Sequence, residues 1–514
     1  MGHERLAEFT EVVRDGWEGF LKGIEKEGLR VDRNGFIAQT PHPEALGSAL
    51  THPSITTDYS ESLLELITPV CSTTSELLRS LTDIHTFVQM NLGDEVLWSA
   101  SMPCRIEGEA SIPIAEYGSS NVGQLKHVYR QGLAVRYGRV MQSIAGAHYN
   151  FSLPDSFWRR WQVQQGDTQA LQDFKTEQYF WLIRNFRRRS WLLMALFGSS
   201  PALDASFVAG RHHGLDQWGA DSFHSSRATS LRMGDLGYHN NAQSSLNICF
   251  NRLDTYTRTL DRAIHTPWPP YEKIGLYRGD QRIQINTNVL QIENEYYSAM
   301  RPKRTANSGE KPIKALEQRG VEYVEVRCLD LDPFSPVGMT AAQIDFMDLF
   351  LLDCLLDEGT MISDEECDIL DNQFRDVVAN GRDPALRLPF EGRDQPLADV
   401  AAQHLDRLAR LADLLPHAAD YHDALAVQRG RITRPEQLPS NRVIAAMEDQ
   451  GEGFVGWNLA LSGEHQKELR ARGLSPSLYD AMARESAESL QEQARLEAAE
   501  DESFSDFLER YLRD

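Results

Sequence analysis

The chain has 514 residues, 41% hydrophobic and 25% charged, which is the balance of a folded globular protein rather than a disordered one. Its formal net charge of −23 argues against a nucleic-acid binder, because neutralising phosphates takes a basic surface. The longest apolar runs, "WLLMALFG" and "LFLLDCLL", fall well short of the roughly 20 residues that a membrane span needs. The opening "MGHERLAEFT" is charged early and has no apolar signal core, and the six scattered cysteines form no C-x-x-C pair. A reduced, cytoplasmic protein with no membrane segment is expected.

In chain order, "GIEKEGLRVD" (23–32) reads as a short strand. Alternate residues of a strand share a face, so Glu25 and Glu27 point the same way as Leu29 and Val31, while Ile24, Lys26, Gly28 and Arg30 point the other way. Two like charges thus face the side that the aliphatics mark as interior. A strand over 62–68 places Glu65 with Leu63 and Ile67, and Asp58 lies just upstream in "ITTDYSE". Residues 75–93 carry a Ser/Thr start and apolar positions three and four apart, which predicts a helix. "GAHYNFSLP" (146–154) predicts a strand with His148, Asn150 and Ser152 on one side and Ala147, Tyr149 and Phe151 on the other.

An aromatic-rich helix is expected over 168–197. A strand is expected over 281–297 with Glu293, Glu295 and Tyr297 on one face, and another over 321–329 with Glu325, Arg327 and Tyr323 together. "TAAQIDFMDLFLLDCLLD" (340–357) predicts a helix. The Gly- and Pro-bearing 380–399 reads as a connection, and the remainder is Ala-, Leu- and Glu-rich and helical. The strands alternate rather than run continuously apolar, so the expected class is α+β with a mainly antiparallel sheet.

Carboxylates that face inward from several strands repel one another, and they stay ionised only with cations between them. Arginine can serve, and so can a hard divalent ion such as Mg²⁺ or Mn²⁺. Cations are available in "QLKHVYRQGLAVRYGR" (124–139), in "RPKR" (301–304) and at Arg232. Each acid or base alone is better explained by a solvated face or a surface ion pair; their recurrence on several strands is the signal. Two other motifs are set aside. "GEGFVG" (451–456) fits G-x-G-x-x-G but follows a helix-like segment, and "RHHG" (211–214) reads as a loop.

At these residues the sequence resembles glutamate–cysteine ligase of the type found in gamma-proteobacteria. The blocks that carry the resemblance include "GIEKEGLRV", "HPEALGSALTHPSITTDYSESLLELITPV", "YRQGLAVRYGRVMQSIAGAHYNFSLP", "TSLRMGDLGY", "INTNVLQIENEYYSAMRPKR" and "GVEYVEVRCLDLDPFSP", in order from about residue 20 to 340. The resemblance implies a glutamine synthetase-like fold: a curved, mainly antiparallel sheet forming an active-site funnel with helices outside. It implies a catalytic domain over 1–395 and a helical C-terminal region over 396–514. The implied reaction is ATP-dependent ligation of the γ-carboxylate of L-glutamate to the amine of L-cysteine, through γ-glutamyl phosphate.

The resemblance places metal ligands at Glu25, Glu27, Asp58, Glu65, His148 and Glu325, for two or three Mg²⁺ or Mn²⁺ ions. It places a cysteine pocket at Tyr129, Leu133, Gln142, Tyr238 and Tyr297. Arg327 falls on the transferring phosphoryl group and Arg232 on the substrate carboxylates. A monomer with feedback inhibition by glutathione is expected, and so is a loop that covers the acyl phosphate. Gly28 stands where relatives often carry a polar residue, and a looser strand is expected there. Competing readings are a ligase of the same fold with a different amine, a catalytically silent nucleotide-binding regulator, and a metal-dependent hydrolase.

Overall fold

The computed structural model describes residues 3–237, 246, 248–307, 310–390 and 392–513. Its centre is a seven-stranded sheet of β1 (Leu21–Val31), β2 (Ile55–Thr57), β3 (Leu63–Ile67), β4 (Val96–Leu97), β5 (Ala147–Ser152), β6 (Met300–Lys303) and β7 (Tyr323–Leu329). The strand order is β6-β7-β5-β1-β3-β2, with β4 pairing the far end of β1, and every pairing is antiparallel. The mixed α/β architecture with a mainly antiparallel sheet is the expected class.

Helices surround this sheet: α1 (Thr74–Asn91), α2 (Asn121–Tyr137), α3 (Leu171–Arg189), α4 (Trp191–Phe197), α5 (Ala341–Leu356), α6 (Leu397–Ala412), α7 (Ala418–Thr433), α8 (Phe454–Arg472), α9 (Pro476–Ala498) and α10 (Phe504–Arg513). The predicted helices over 75–93 and 340–357 are α1 and α5. The one expected over 168–197 is two helices, α3 and α4, meeting at Ser190. A capping box starts α1: Thr73 accepts from the Glu76 amide, and Glu76 accepts from the Thr73 amide. No helix among the described residues is long and apolar enough to cross a membrane.

One face of the sheet is the core. Ile24, Tyr149, Phe151, Val324, Val326, Leu64 and Leu66 are all fully buried on it. Each such side chain contributes roughly 1.5–3 kcal/mol of burial free energy. The same face carries three buried cations. Lys22 pairs with Asp348 on α5, which also accepts from the Tyr149 hydroxyl at 2.6 Å. Arg30 pairs with Glu95 at 2.7 Å. Lys26 is 2% exposed, and burial pushes its ammonium down to about 7 against the pull of Glu27.

Three expectations change. Residues 281–297 do not form one strand. After a two-residue strand at Gln281–Arg282 the chain turns through loops, and Glu293–Glu295 is a single 3₁₀ turn. Its amides bond locally instead of to a ladder: Asn286 donates to the Gln291 carbonyl at 2.9 Å, and Gln291 accepts from the Ile285 amide at 3.0 Å. Within 380–399 lies a hairpin, Arg387–Phe390 with Arg393–Pro396, leading into α6. Nor does Gly28 loosen β1, which runs unbroken through it. A Cβ there would meet Lys26 Nζ at 2.8 Å and Leu97 at 3.0 Å, so the glycine admits a close neighbour.

The C-terminal helices pack on the rest of the chain. Helices α6 and α7 contact α5, α8 contacts α1, and α10 contacts α2. "GEGFVG" spans the break between two helices, with Gly451 left-handed at φ 67° and Gly453 as the N-cap of α8. His212 and His213 of "RHHG" lie in a loop.

Candidate active site

The other face of the sheet gathers the acids, and its register explains how. Across the ladder Glu325 stands opposite Asn150, His148 opposite Glu25, Glu27 opposite Glu65, and Glu65 opposite Thr56. In an antiparallel sheet opposed residues point to the same side, so five strands bring these groups to one face. One ligand atom each of Glu25, Glu65 and His148 lie within 4.8 Å of one another. His148 Nδ1 is 3.4 Å from Glu25 and 3.8 Å from Glu325, and its Nε2 is 3.6 Å from Glu27. Glu27, His148 and Glu325 are buried, and Glu25, Asp58 and Glu65 are half-buried.

The electrostatics divide the cluster. Burial, followed by the charges of Glu25, Asp58, Glu27 and Glu325, pushes the Glu65 carboxyl well above the usual range. Burial also pushes Glu27 up, and Asp58 adds to this while His148 opposes it. Burial would raise Glu325 too, but Lys303, Arg327, His148 and Arg301 outweigh it and hold that carboxyl well below the usual range. Protein cations therefore neutralise the Glu325 end and leave the Glu65 end short of positive charge.

Two buried acceptors in the cluster, Glu325 Oε2 and Asn150 Oδ1, have no hydrogen-bond donor among the described residues. Carboxylate oxygens, one imidazole and an orphaned amide oxygen form a donor set for a hard divalent cation. The residues present thus fit Mg²⁺ or Mn²⁺. Asn150 joins this set without having been singled out; its place two residues from His148 on the same strand face was the available signal.

Beside the cluster lies a cavity of about 140 Å³. Glu27, Asp58 and Arg327 form its side toward the sheet; Tyr129, Arg130, Leu133 and Tyr137 of α2, together with Gln142, Tyr297 and Arg301, line the rest. Four of the five expected pocket residues, Tyr129, Leu133, Gln142 and Tyr297, therefore line one space. The fifth, Tyr238, lies outside the described residues. Tyr129, Leu133 and Tyr137 are spaced i, i+4, i+8 along α2, a helical face that would have added Tyr137 to the prediction.

Arg327 sits where β7 slips its register against β5 between Val326 and Leu329. Such an irregularity re-aims a side chain. Its guanidinium is 5.6 Å from the Tyr297 ring centroid, and its Nε is 3.5 Å from Glu325. Arg232, 1% exposed, lies behind this wall: it donates to the Arg327 carbonyl at 2.9 Å and stands 3.6 Å from Asp330. Gly146 makes room for it, since a Cβ there would fall 2.1 Å from Arg232 Nη2. The same glycine donates its amide to Glu27 at 2.6 Å. Glu293 and Glu295, expected on a strand face, instead bond to neighbouring segments, and Glu295 lines the cavity. Glu295 pairs with Arg136 at 3.0 Å and accepts from the Tyr137 hydroxyl, and Glu293 accepts from the Ile313 amide at 2.9 Å. All six cysteines are free thiols, and Cys104 is fully buried, as a packing residue would be.

A sheet face of carboxylates and one histidine, flanked by arginines and opening on a small polar cavity, is a donor set that suits cations together with anionic substrates. The family profile described as "Glutamate-cysteine ligase" matches residues 9–377. The glutamate–cysteine ligase of Hahella chejuensis is 54% identical over 99% of both chains. That of Azotobacter vinelandii is 51% identical over 96% of this chain and 94% of its own. Among solved structures, glutamate–cysteine ligase from Francisella tularensis in complex with AMP superposes with a TM-score of 0.91 at 34% identity, covering 97% of this chain and 98% of that one. The chain belongs to the glutamate–cysteine ligase family.

Proposed function

We propose that the chain joins the γ-carboxylate of L-glutamate to the amine of L-cysteine at the expense of ATP, through γ-glutamyl phosphate, as the first step of glutathione synthesis. The observation that carries this reading is the register that sets Glu25, Glu27, Glu65, His148 and Glu325 on one sheet face beside the cavity, in a chain of this family. Family membership supports ATP as co-substrate and a cytoplasmic enzyme, and the AMP-bound relative supports a nucleotide site.

Glu25, Glu27, Asp58, Glu65, His148 and Glu325 would hold two or three Mg²⁺ or Mn²⁺ ions. Bound there, the metal neutralises phosphate and carboxylate oxygens so that the two anions can approach. The chain's own residues then do the positioning. Arg327, aimed by the irregular register of β7, faces the transferring phosphoryl group, where fixed positive charge stabilises the developing oxygens. Arg232 holds Arg327 from behind through its carbonyl and adds charge on the side that takes the substrate carboxylates. Arg130 and Arg301 are anchored by backbone carbonyls, those of Lys126 and Asn294 among them, and present their charge to the cavity.

Tyr129, Leu133, Gln142 and Tyr297 form the pocket for the amine substrate. Its aromatic and aliphatic walls suit a small, weakly polar thiol side chain. Discrimination against 2-aminobutyrate is weak, because a methyl is close in size to a thiol. The catalytic unit spans 1–395 and the helical region over 396–514 packs onto it.

The test is ADP release from Mg-ATP with one component omitted at a time. Release that needs both amino acids, with γ-glutamylcysteine identified by mass, supports the ligase. Release with glutamate that is indifferent to cysteine keeps the acyl phosphate and overturns the amine assignment. Nucleotide binding without release favours a silent regulator.

A further inference from the structure

Helix α2 supplies four walls of the cavity, Tyr129, Arg130, Leu133 and Tyr137. What holds α2 in place comes from the far end of the chain. Its first turn needs partners for amides that no helical carbonyl can reach. Ser120 caps one, accepting from the Gly123 amide at 3.2 Å. Glu500 accepts from the Asn121 amide at 2.8 Å and from the Asn121 side-chain amide at 2.5 Å, and Glu497 accepts from the Ser119 amide at 2.9 Å. Asn121 is 3% exposed, and its side chain also donates to the Glu502 carbonyl at 3.1 Å. Two carboxylates at a helix N-terminus also complement its dipole. Two turns further along, α10 covers the outer side of α2. Leu508, 2% exposed, packs with Val128 and the fully buried Ile285. Tyr129 belongs to this same apolar cluster and also lines the cavity.

We propose that the C-terminal segment 497–513 is a positioning element for the amine pocket: Glu500 fixes the start of α2 and Leu508 fixes its middle, and together they set how far Tyr129 and Leu133 reach into the cavity. This rests on the reading of that cavity as the cysteine pocket. The segment lies beyond residue 377, where the family profile ends, so residues outside the matched span tune the substrate site. Glu500 bonds to Asn121, and Leu508 packs with Val128 and Ile285. Their effect therefore falls on one substrate rather than on phosphoryl transfer.

The experiment uses the full-length enzyme carrying Leu508→Ala, Leu508→Met or Glu500→Ala, with Tyr129→Ala as the reference. Steady-state constants are measured for each of the three substrates. Leu508→Ala leaves a void beneath α2 and raises KM for L-cysteine about 5- to 10-fold, while kcat and KM for glutamate and ATP stay within about 2-fold. Leu508→Met, similar in volume, restores the constant to within about 2-fold. Glu500→Ala, at an exposed site where folding is not at risk, raises the same constant by about 2- to 4-fold. Preference for cysteine over 2-aminobutyrate changes in step. If Tyr129→Ala raises KM for cysteine but Leu508→Ala and Glu500→Ala leave it unchanged, the positioning role is overturned while the pocket stands. If Tyr129→Ala itself has no effect, the pocket reading fails and takes the inference with it. If Leu508→Ala moves all constants together and Glu500→Ala moves none, the segment is merely structural and the proposal is wrong.

Discussion

The two faces of the central sheet both bury charge, and they treat it in opposite ways. On the helix-covered face Lys22 has Asp348, Asp348 also has the Tyr149 hydroxyl, and Arg30 has Glu95. Asp348 lies on α5, and Glu95 lies in the turn that leads into β4. On the other face Glu25, Glu27, Glu65 and Glu325 crowd around a single histidine, and the nearby cations Lys303 and Arg327 pair with Glu325 at its edge. Buried charge that is balanced within the protein fixes structure. Buried charge left in excess must be balanced from outside, which makes that face a site for cations and the phosphates they carry.

The largest expected break in this contrast is Glu27→Gln. It removes a ligand from the unbalanced face, and turnover falls by about 10³-fold. Because the change relieves repulsion, circular dichroism and the melting temperature stay at or above wild type. Turnover near wild type would mean that Glu27 holds no metal.

Next is Asp348→Ala on the balanced face. It strands Lys22 in the core and costs about 3–5 kcal/mol of stability by urea denaturation. The folded fraction keeps kcat within about 3-fold of wild type, since the lost pair faces away from the cavity. A loss of turnover without a loss of stability would erase the distinction between the faces.

A third test uses metal and pH together. Burial and neighbouring acids push Glu65, and burial with Asp58 pushes Glu27, above their ordinary 4.5. The folded metal-free protein therefore holds more protons on these groups than the unfolded chain does. Their contribution to stability falls as pH rises from 4.5 through the raised values. Mg²⁺ displaces those protons, so it raises the melting temperature by more at pH 8 than at pH 6. An equal or reversed increment, read by calorimetry with and without chelator, would contradict the metal assignment.

The smallest effect is expected at Lys26. Its ammonium is held at about 7 against an ordinary 10.5, so the unfolded chain binds more protons between those values, and stability rises with pH across that window. Lys26→Met removes the rise and adds about 1 kcal/mol at pH 7. Urea midpoints at pH 7 and pH 9 decide it: a pH dependence that persists in the variant assigns the rise to another group.

The sequence by itself determined what is periodic and local. Alternation along β1, β3, β5 and β7 put Glu25 with Glu27, His148 with Asn150, and Glu325 with Arg327 before any contact was known, because a strand's side-chain period is two whatever it pairs with. Cap residues such as Thr73 set helix starts for an equally local reason. The family blocks named the expected metal ligands on and beside those strands and the expected pocket residues outside them.

Only the tertiary structure decided register and wall-building. His148 meets Glu25, and Glu65 meets Glu27, because strands far apart in the chain pair at one offset fixed by packing on the opposite face. Residues 281–297 keep the apolar alternation of a strand without its ladder, because polar side chains there bond to nearby backbone. The dependence of α2 on Glu500 and Leu508 was illegible for a third reason. A hydrogen bond between residues 379 positions apart leaves no pattern in either segment, and it exists only once the whole chain has closed around the sheet.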